Sequence, residues 1–134
     1  MFPKRIVVLG AIIEKEGKIL LARRAQGRNS AGKWEFPGGK LEIGETEQEC
    51  LARELKEEMN VEAQVGEHFM DGGSKEEKAN IHLRTYKTKL LSYNFNLTAH
   101  DIVVWVKPEE IMSYDLAMAD ITIARKLAEM GKKQ

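Results

Sequence analysis

The chain turns sharply at Pro37-Gly38-Gly39 and opens a helix at Thr46. No other stretch restricts the fold as tightly. Proline fixes φ and lacks an amide hydrogen, and glycine is a poor helix former, so Trp34–Glu45 is not a helix. Thr46 with Glu49 three positions on forms a capping box, the mark of a helix start. Leu51, Ala52, Leu55 and Met59 then recur at helical spacing, and Asn60, which tolerates the left-handed conformation, ends the run. A rigid loop is thereby tied to the start of a helix, and seven glutamates fall between Glu42 and Met59 against Arg53 and Lys56 alone.

Helix geometry shows where those charges point. With Leu51 at zero and about 100° per residue, Leu55, Met59 and Ala52 lie at about +40°, +80° and +100° and make the buried stripe. Glu58, Glu54 and Glu57 fall at about −20°, −60° and −120° by the same rule, so they share one flank that borders the stripe. Glu54 and Glu58 are i,i+4 neighbours and Glu54 and Glu57 are i,i+3 neighbours, spacings at which like charges destabilise a helix. A divalent cation removes that cost, because Mg²⁺ takes a few carboxylates together with substrate phosphates. On geometry alone a metal site and a solvated acidic face account for the pattern equally well.

The rest of the chain reads as alternating strands and helices. Residues 5–14 and 18–24 are two strands joined by a tight turn, and 25–33 is a loop. Strands are expected near 62–69, 81–91 and 101–106, with 71–80 as a loop between the first two. Pro108–Ile111 suits a short helical turn. Asp120 is expected to cap a last helix with Ile123, Leu127 and Met130 on one face, Gly131 beyond its end and a frayed tail at 132–134. The 134 residues suit one domain, 1–134, with a mixed sheet between helices. Twenty-one basic residues balance 21 acidic ones, which argues against a dedicated binder of nucleic acid polymers or anionic membranes. No apolar run approaches the length of a spanning helix. The single cysteine, Cys50, reads as a small buried residue and fits a reducing, cytoplasmic setting.

From Gly39 the sequence runs through five residues to Glu45, then seven to Arg53-Glu54-Leu55-Lys56-Glu57-Glu58-Met59-Asn60-Val61. This resembles the Nudix box, G-x5-E-x7-R-E-U-x-E-E-x-G-U with U a bulky aliphatic, at every position except the second Gly, which is Asn60 here. Residues 36–40, Phe-Pro-Gly-Gly-Lys, and the strand-loop-strand before them resemble the MutT-like branch, as does the tail from Ala117. The resemblance implies a Nudix α/β/α sandwich, α/β or α+β in class, that uses Mg²⁺, with Mn²⁺ as a substitute, to hydrolyse a nucleoside triphosphate to a monophosphate and pyrophosphate. It gives Glu54, Glu57 and Glu58 as metal ligands, with the Gly38 carbonyl added, and Arg53 with Glu45 as a bracing pair. Glu57 is the first choice of general base, being farthest from the core stripe, with Glu54 or Glu58 second. Where several relatives carry a Glu-His pair before the late strand, this chain has Ala99-His100, with Asp101 nearby, and His100 fits a surface position as well as a polar role.

For the substrate, the resemblance implies that Phe36 packs on the base, Asp120 reads its edge and Arg24 contacts phosphate or base, with Trp34 nearby; core packing and an N-cap account for Phe36 and Asp120 as well. Either an oxidised purine dNTP such as 8-oxo-dGTP or CTP/dCTP suits such a site. A Nudix hydrolase of ADP-ribose or a dinucleoside polyphosphate, and a non-catalytic nucleotide-binding module, are the alternatives. The full set of box glutamates disfavours the module. Members often form homodimers, and no apolar patch in this sequence can be assigned to such a contact.

Overall fold

The computed structural model describes residues 4–76 and 79–132. Strand β1 (Lys4–Lys15) is central. It runs parallel to β6 (Ala79–Leu90), from Lys4 opposite Ala79 to Ile13 opposite Thr88. Along its other edge it pairs antiparallel with the short β4 (Gly38–Lys40), and its last residues pair with β2 (Lys18–Arg24). The β1–β2 turn is tight, with Glu16 and Gly17 at φ 52 and 78, the two left-handed residues that match hairpin twist. Strand β5 (Ala63–Lys75) lies antiparallel on β6, while β3 (Trp34–Glu35) and β7 (His100–Val106) flank β2.

Period-two alternation on β1 splits the core. Leu9, Ala11 and Ile13 pack with Leu51, Leu55 and Met59 of α1 (Glu47–Met59). Ile12, with half-buried Val8, packs with Ile123, Ala124 and Leu127 of α2 (Ile121–Lys132). The sheet therefore lies between two helices, the expected α/β/α sandwich. Among the described residues no helix is long and apolar enough to cross a membrane.

Helix α1 starts and stops as its sequence dictates. The Thr46 hydroxyl accepts from the Glu49 amide at 3.1 Å, and the Glu49 carboxylate accepts from the Thr46 amide at 3.0 Å. Asn60 ends it at φ 60, ψ 37, the left-handed cap for which the box usually supplies glycine. Cys50 is buried while Ala52 is only half-buried, so the buried stripe extends to the flank of Cys50, opposite the one expected from Ala52. Burial pushes its thiol up to about 11.

Three expectations are corrected. Residues 71–80 are not a loop: β5 continues to Lys75 and β6 begins at Ala79, with 77 and 78 outside the described residues. Asp71 is held there by His82 at 2.8 Å and Arg84 at 2.9 Å. Gly72 passes so close to the turn before α2 that a Cβ would sit 2.6 Å from the Ala119 carbonyl oxygen. A glycine that looks like a turn signal is here the mark of close backbone approach. Gly131 lies inside α2, which runs to Lys132; of the expected frayed tail, 133 and 134 lie outside the described residues. Asp120 ends a one-turn 3₁₀ segment (Met118–Asp120) leading into α2, and its carboxylate bonds to another part of the chain instead of capping its own helix.

The cap at Asn60 yields a stability prediction. Asn60→Val forces a β-branched side chain into the left-handed region and lowers stability by about 1–2 kcal/mol. Asn60→Gly loses the side-chain bond to the Asn94 carbonyl, 3.2 Å, but relieves the backbone and stays close to wild type. Urea denaturation of both variants checks this ranking.

Candidate active site

A cavity of about 540 Å³ opens where β4, α1 and the turn before α2 meet. Its wall carries Arg24, Phe36, Gly38, Glu54, Glu58 and Asp120, six of the nine residues singled out from the sequence. A second cavity, about 420 Å³, lies between β5, β6 and α2; Glu14 is its one carboxylate, so it lacks the paired acids the chemistry needs.

The loop meets the helix at Gly39. A Cβ there would lie 2.2 Å from Glu54 Oε2, so only glycine lets β4 pass this close to the carboxylate. Arg53 then ties loop and helix together. Its Nε and Nη2 donate to the two Glu45 oxygens at 2.6 and 2.9 Å, while Nη1 donates to Glu54 at 2.8 Å and Glu57 at 2.9 Å. The bracing pair expected at Arg53 and Glu45 is present. The Arg53 guanidinium holds the Glu45 carboxyl below its ordinary range.

The three flank glutamates occupy three environments. Glu57 is the most exposed, with 59% of its side chain accessible, and lies outside the cavity wall on Arg53. Glu54 is 13% exposed and lines the cavity. Glu58 lines it too, and its Oε2 is buried with no protein partner. Burial first, then the charge on Glu54, push the Glu58 carboxyl up to about 7.

This donor set fits a divalent cation. Among the described residues no three acidic, imidazole or thiol groups converge as a ready-made cage. Mg²⁺ does not ask for one, since it binds through one or two carboxylates plus water and substrate phosphates. A buried, unpartnered carboxylate oxygen beside a second carboxylate costs free energy that such an ion recovers.

Farther along the same wall, the Phe36 amide donates to Asp120 Oδ2 at 2.8 Å. Asp120 is 5% exposed. Burial pushes its carboxyl up to about 8, and the Phe36 bond only partly offsets this. One residue escaped the sequence reading. Glu35 lines the cavity and takes Arg24 Nη1 at 3.4 Å and His100 Nε2 at 2.9 Å on one oxygen. His100, for which a surface position and a polar role stood side by side, is 3% exposed and hydrogen-bonded. The available signal was a glutamate set between Trp34 and Phe36 at the mouth of the Pro-Gly-Gly turn.

The NUDIX domain model matches residues 3–129. The CTP pyrophosphohydrolase of Escherichia coli is 42% identical over 120 residues, covering 90% of this chain and 89% of that one. A putative 8-oxo-dGTP diphosphatase 2 of Mycobacterium tuberculosis is 37% identical over 123 residues, covering 87% and 82%. The solution structure of a MutT protein from methicillin-resistant Staphylococcus aureus superposes with a TM-score of 0.76 at 36% identity, over 96% of this chain and 99% of that one. A family model spanning nearly the whole sequence, and relatives matched along most of their own length, agree with the loop-helix geometry: this chain belongs to the Nudix family.

Proposed function

We propose that the protein hydrolyses a nucleoside triphosphate, CTP or dCTP first, to the monophosphate and pyrophosphate with Mg²⁺, for which Mn²⁺ can substitute, in the cytosol. One observation carries this reading: a single cavity holds the Glu54–Glu58 pair and, on the same wall, the buried acid Asp120 beside Phe36, which is 3% exposed and packed into the core under α2. Phe36 and Gly39 are three residues apart, so the acid-reading end and the carboxylate end are separated by about 10 Å of chain at most. That span suits a base at one end and its phosphates at the other.

Each residue then has a task. Glu54 and Glu58, with the Gly38 carbonyl, would hold the metal from the cavity wall, with Glu57 at its outer edge. The ion, when bound, would supply charge neutralisation for the phosphates and a more acidic water. Hydrolysis joins a water oxygen to an internal phosphorus and breaks the bridge between the α- and β-phosphates, so that monophosphate and pyrophosphate part, and a carboxylate of this chain takes the water's proton. Glu57 remains the first choice for that base and Glu54 the second. Arg53 and Glu45 keep the loop and helix in register, and Arg24 meets phosphate.

The base preference follows from Asp120. Oδ2 accepts from the Phe36 amide, so a proton on the acid resides on Oδ1. A neutral carboxyl offers one donor and one acceptor, the pattern that pairs with N3 and the amine of cytosine. The N1–H and amine edge of guanine presents two donors and is poorly matched. A second reading, 8-oxo-dGTP, is supported because oxidation gives that base an N7–H beside its O6 acceptor, the same pairing pattern. The putative diphosphatase from M. tuberculosis carries that substrate in its name.

Glu54→Gln and Glu57→Gln each lower pyrophosphate release by about 10²–10⁴-fold while circular dichroism stays unchanged. A chromatographic screen of CTP, dCTP, 8-oxo-dGTP, ADP-ribose and a dinucleoside polyphosphate, with Mg²⁺, Mn²⁺ or EDTA, measures this; activity that survives EDTA defeats the reading.

Asp120 also sets a pH dependence. Its pairing form is the protonated one, populated below about 8, so kcat/KM for CTP falls as pH rises through 8. Asp120→Asn keeps one donor and one acceptor at every pH, so its pH–rate profile should lose that limb while retaining the preference for CTP over GTP.

A further inference from the structure

Strand β2 changes register against β7 between Arg23 and Arg24: Arg23 stands opposite Ile102, but Arg24 stands opposite His100. Bulges of this kind re-aim a side chain. Arg23 turns outward to Asp101 at 2.8 Å with 40% of its side chain exposed. Arg24 turns inward, lines the cavity, and is 21% exposed. Two groups hold it there. Its Nε donates to the Asn29 carbonyl at 3.1 Å, and Nη1 donates to Glu35 Oε2 at 3.4 Å. The same Glu35 oxygen is met at 2.9 Å by Nε2 of His100, a side chain with no accessible surface.

A carboxylate only accepts, so Nε2 carries the hydrogen and His100 donates. Its Nδ1 is buried without a partner. A purely packing residue at that place would be cheaper as leucine, because a buried unpaired nitrogen costs free energy. The structure keeps that cost and directs the one bonded nitrogen at a carboxylate on the cavity wall, while His100 itself does not line the cavity.

We propose that His100 is a positioning residue: through Glu35 it fixes the Arg24 guanidinium in the pose that meets the nucleotide's phosphates. This rests on the triphosphate reading above. Glu35 alone, 18% exposed on its side chain and partly wetted, has rotamer freedom that would let Arg24 swing. A donor from the buried side removes that freedom, the usual work of a supporting hydrogen bond behind a binding group.

The test is a double-mutant cycle on the full chain. His100→Leu keeps the volume and deletes the donor, His100→Gln keeps a donor with similar reach, and Arg24→Ala removes the arm. KM and kcat for CTP with Mg²⁺, and Kd for α,β-methylene-CTP by calorimetry, are measured for each. His100→Leu should raise KM and Kd about tenfold, the size of one lost bond to a charged group, with kcat little changed. His100→Gln should recover most of that loss. The His100→Leu/Arg24→Ala double variant should be no weaker than Arg24→Ala alone, since the relay has nothing left to position.

Multiplying losses in the double variant, or His100→Leu binding as wild type does, overturns the proposal. Should His100→Leu fail to fold, Glu35→Gln makes the same test from the middle of the relay: it must also be silent in the Arg24→Ala background. Absence of turnover by the wild type on every nucleotide defeats the hydrolase reading, and the relay is then decided on Kd; a wild type that does not bind the analogue overturns the relay too.

Discussion

One guanidinium balances the acidic loop-helix unit. Arg53 contacts Glu45 on the loop and Glu54 and Glu57 on the helix within 2.9 Å, with Glu42 farther out at 3.8 Å. Without it, the glutamates between Glu42 and Met59 would drive the loop off the helix. A lysine could not replace it, since a point charge cannot meet both oxygens of Glu45 and still reach two side chains along the helix. The bidentate grip on Glu45 fixes the loop, and the single remaining nitrogen is shared by Glu54 and Glu57. The metal-ligand candidates are thus held by the same group that sets the loop geometry, and Gly39 is pressed against Glu54 by the closeness this permits.

That arrangement grades the three flank carboxylates instead of making them equivalent. Glu57 remains wet and ion-paired, Glu54 is nearly covered yet retains Arg53, and Glu58 is half-buried with one oxygen enclosed and unpartnered. Only the last two face the cavity. A cation brought in with a polyphosphate would therefore meet one carboxylate that burial pushes up and one that is hydrogen-bonded to arginine. Water-mediated or phosphate ligation completes such a shell more readily than a third fixed side chain would.

Most of this unit was legible because it is local. The capping box, the buried stripe and the left-handed Asn60 each depend on residues within a turn or two, so spacing alone predicts them. The helical angles also set Glu57 farthest from the stripe, and it is the exposed one of the three. What failed was nonlocal. Residues 71–80 have turn composition, yet pairing with β6 and the tight pass beneath Ala119 carry β5 on to Lys75. His100 follows Ala99 in what looks like an exposed approach to β7. Its burial arises from a register shift between two strands nearly eighty residues apart in sequence, which no window of residues can reveal. Asp120 looks like an N-cap because aspartate before a helix usually is one; its actual partner, the Phe36 amide, is brought to it by the packing of α2 over β1 and by the backbone bonds of Trp34 to Asp115 and Ala117.

Two of those nonlocal contacts serve the cavity, Asp120 at the base end and His100 behind Arg24. The carboxylates of the phosphate end, in the proposed reading, come from α1 beside β4, elements set by short-range sequence rules. The base end is built from β3 and the turn before α2, joined by the Phe36–Asp120 bond and by backbone bonds from Trp34 to Asp115 and Ala117. Separate construction lets the base-reading acid change without disturbing the carboxylates, because Asp120 touches neither Glu54, Glu58 nor Arg53 through any hydrogen bond described. It also explains why the chemistry is easier to read from the sequence than the substrate. The catalytic unit is one continuous span of about two dozen residues, while base selection depends on how the last helix settles on the sheet.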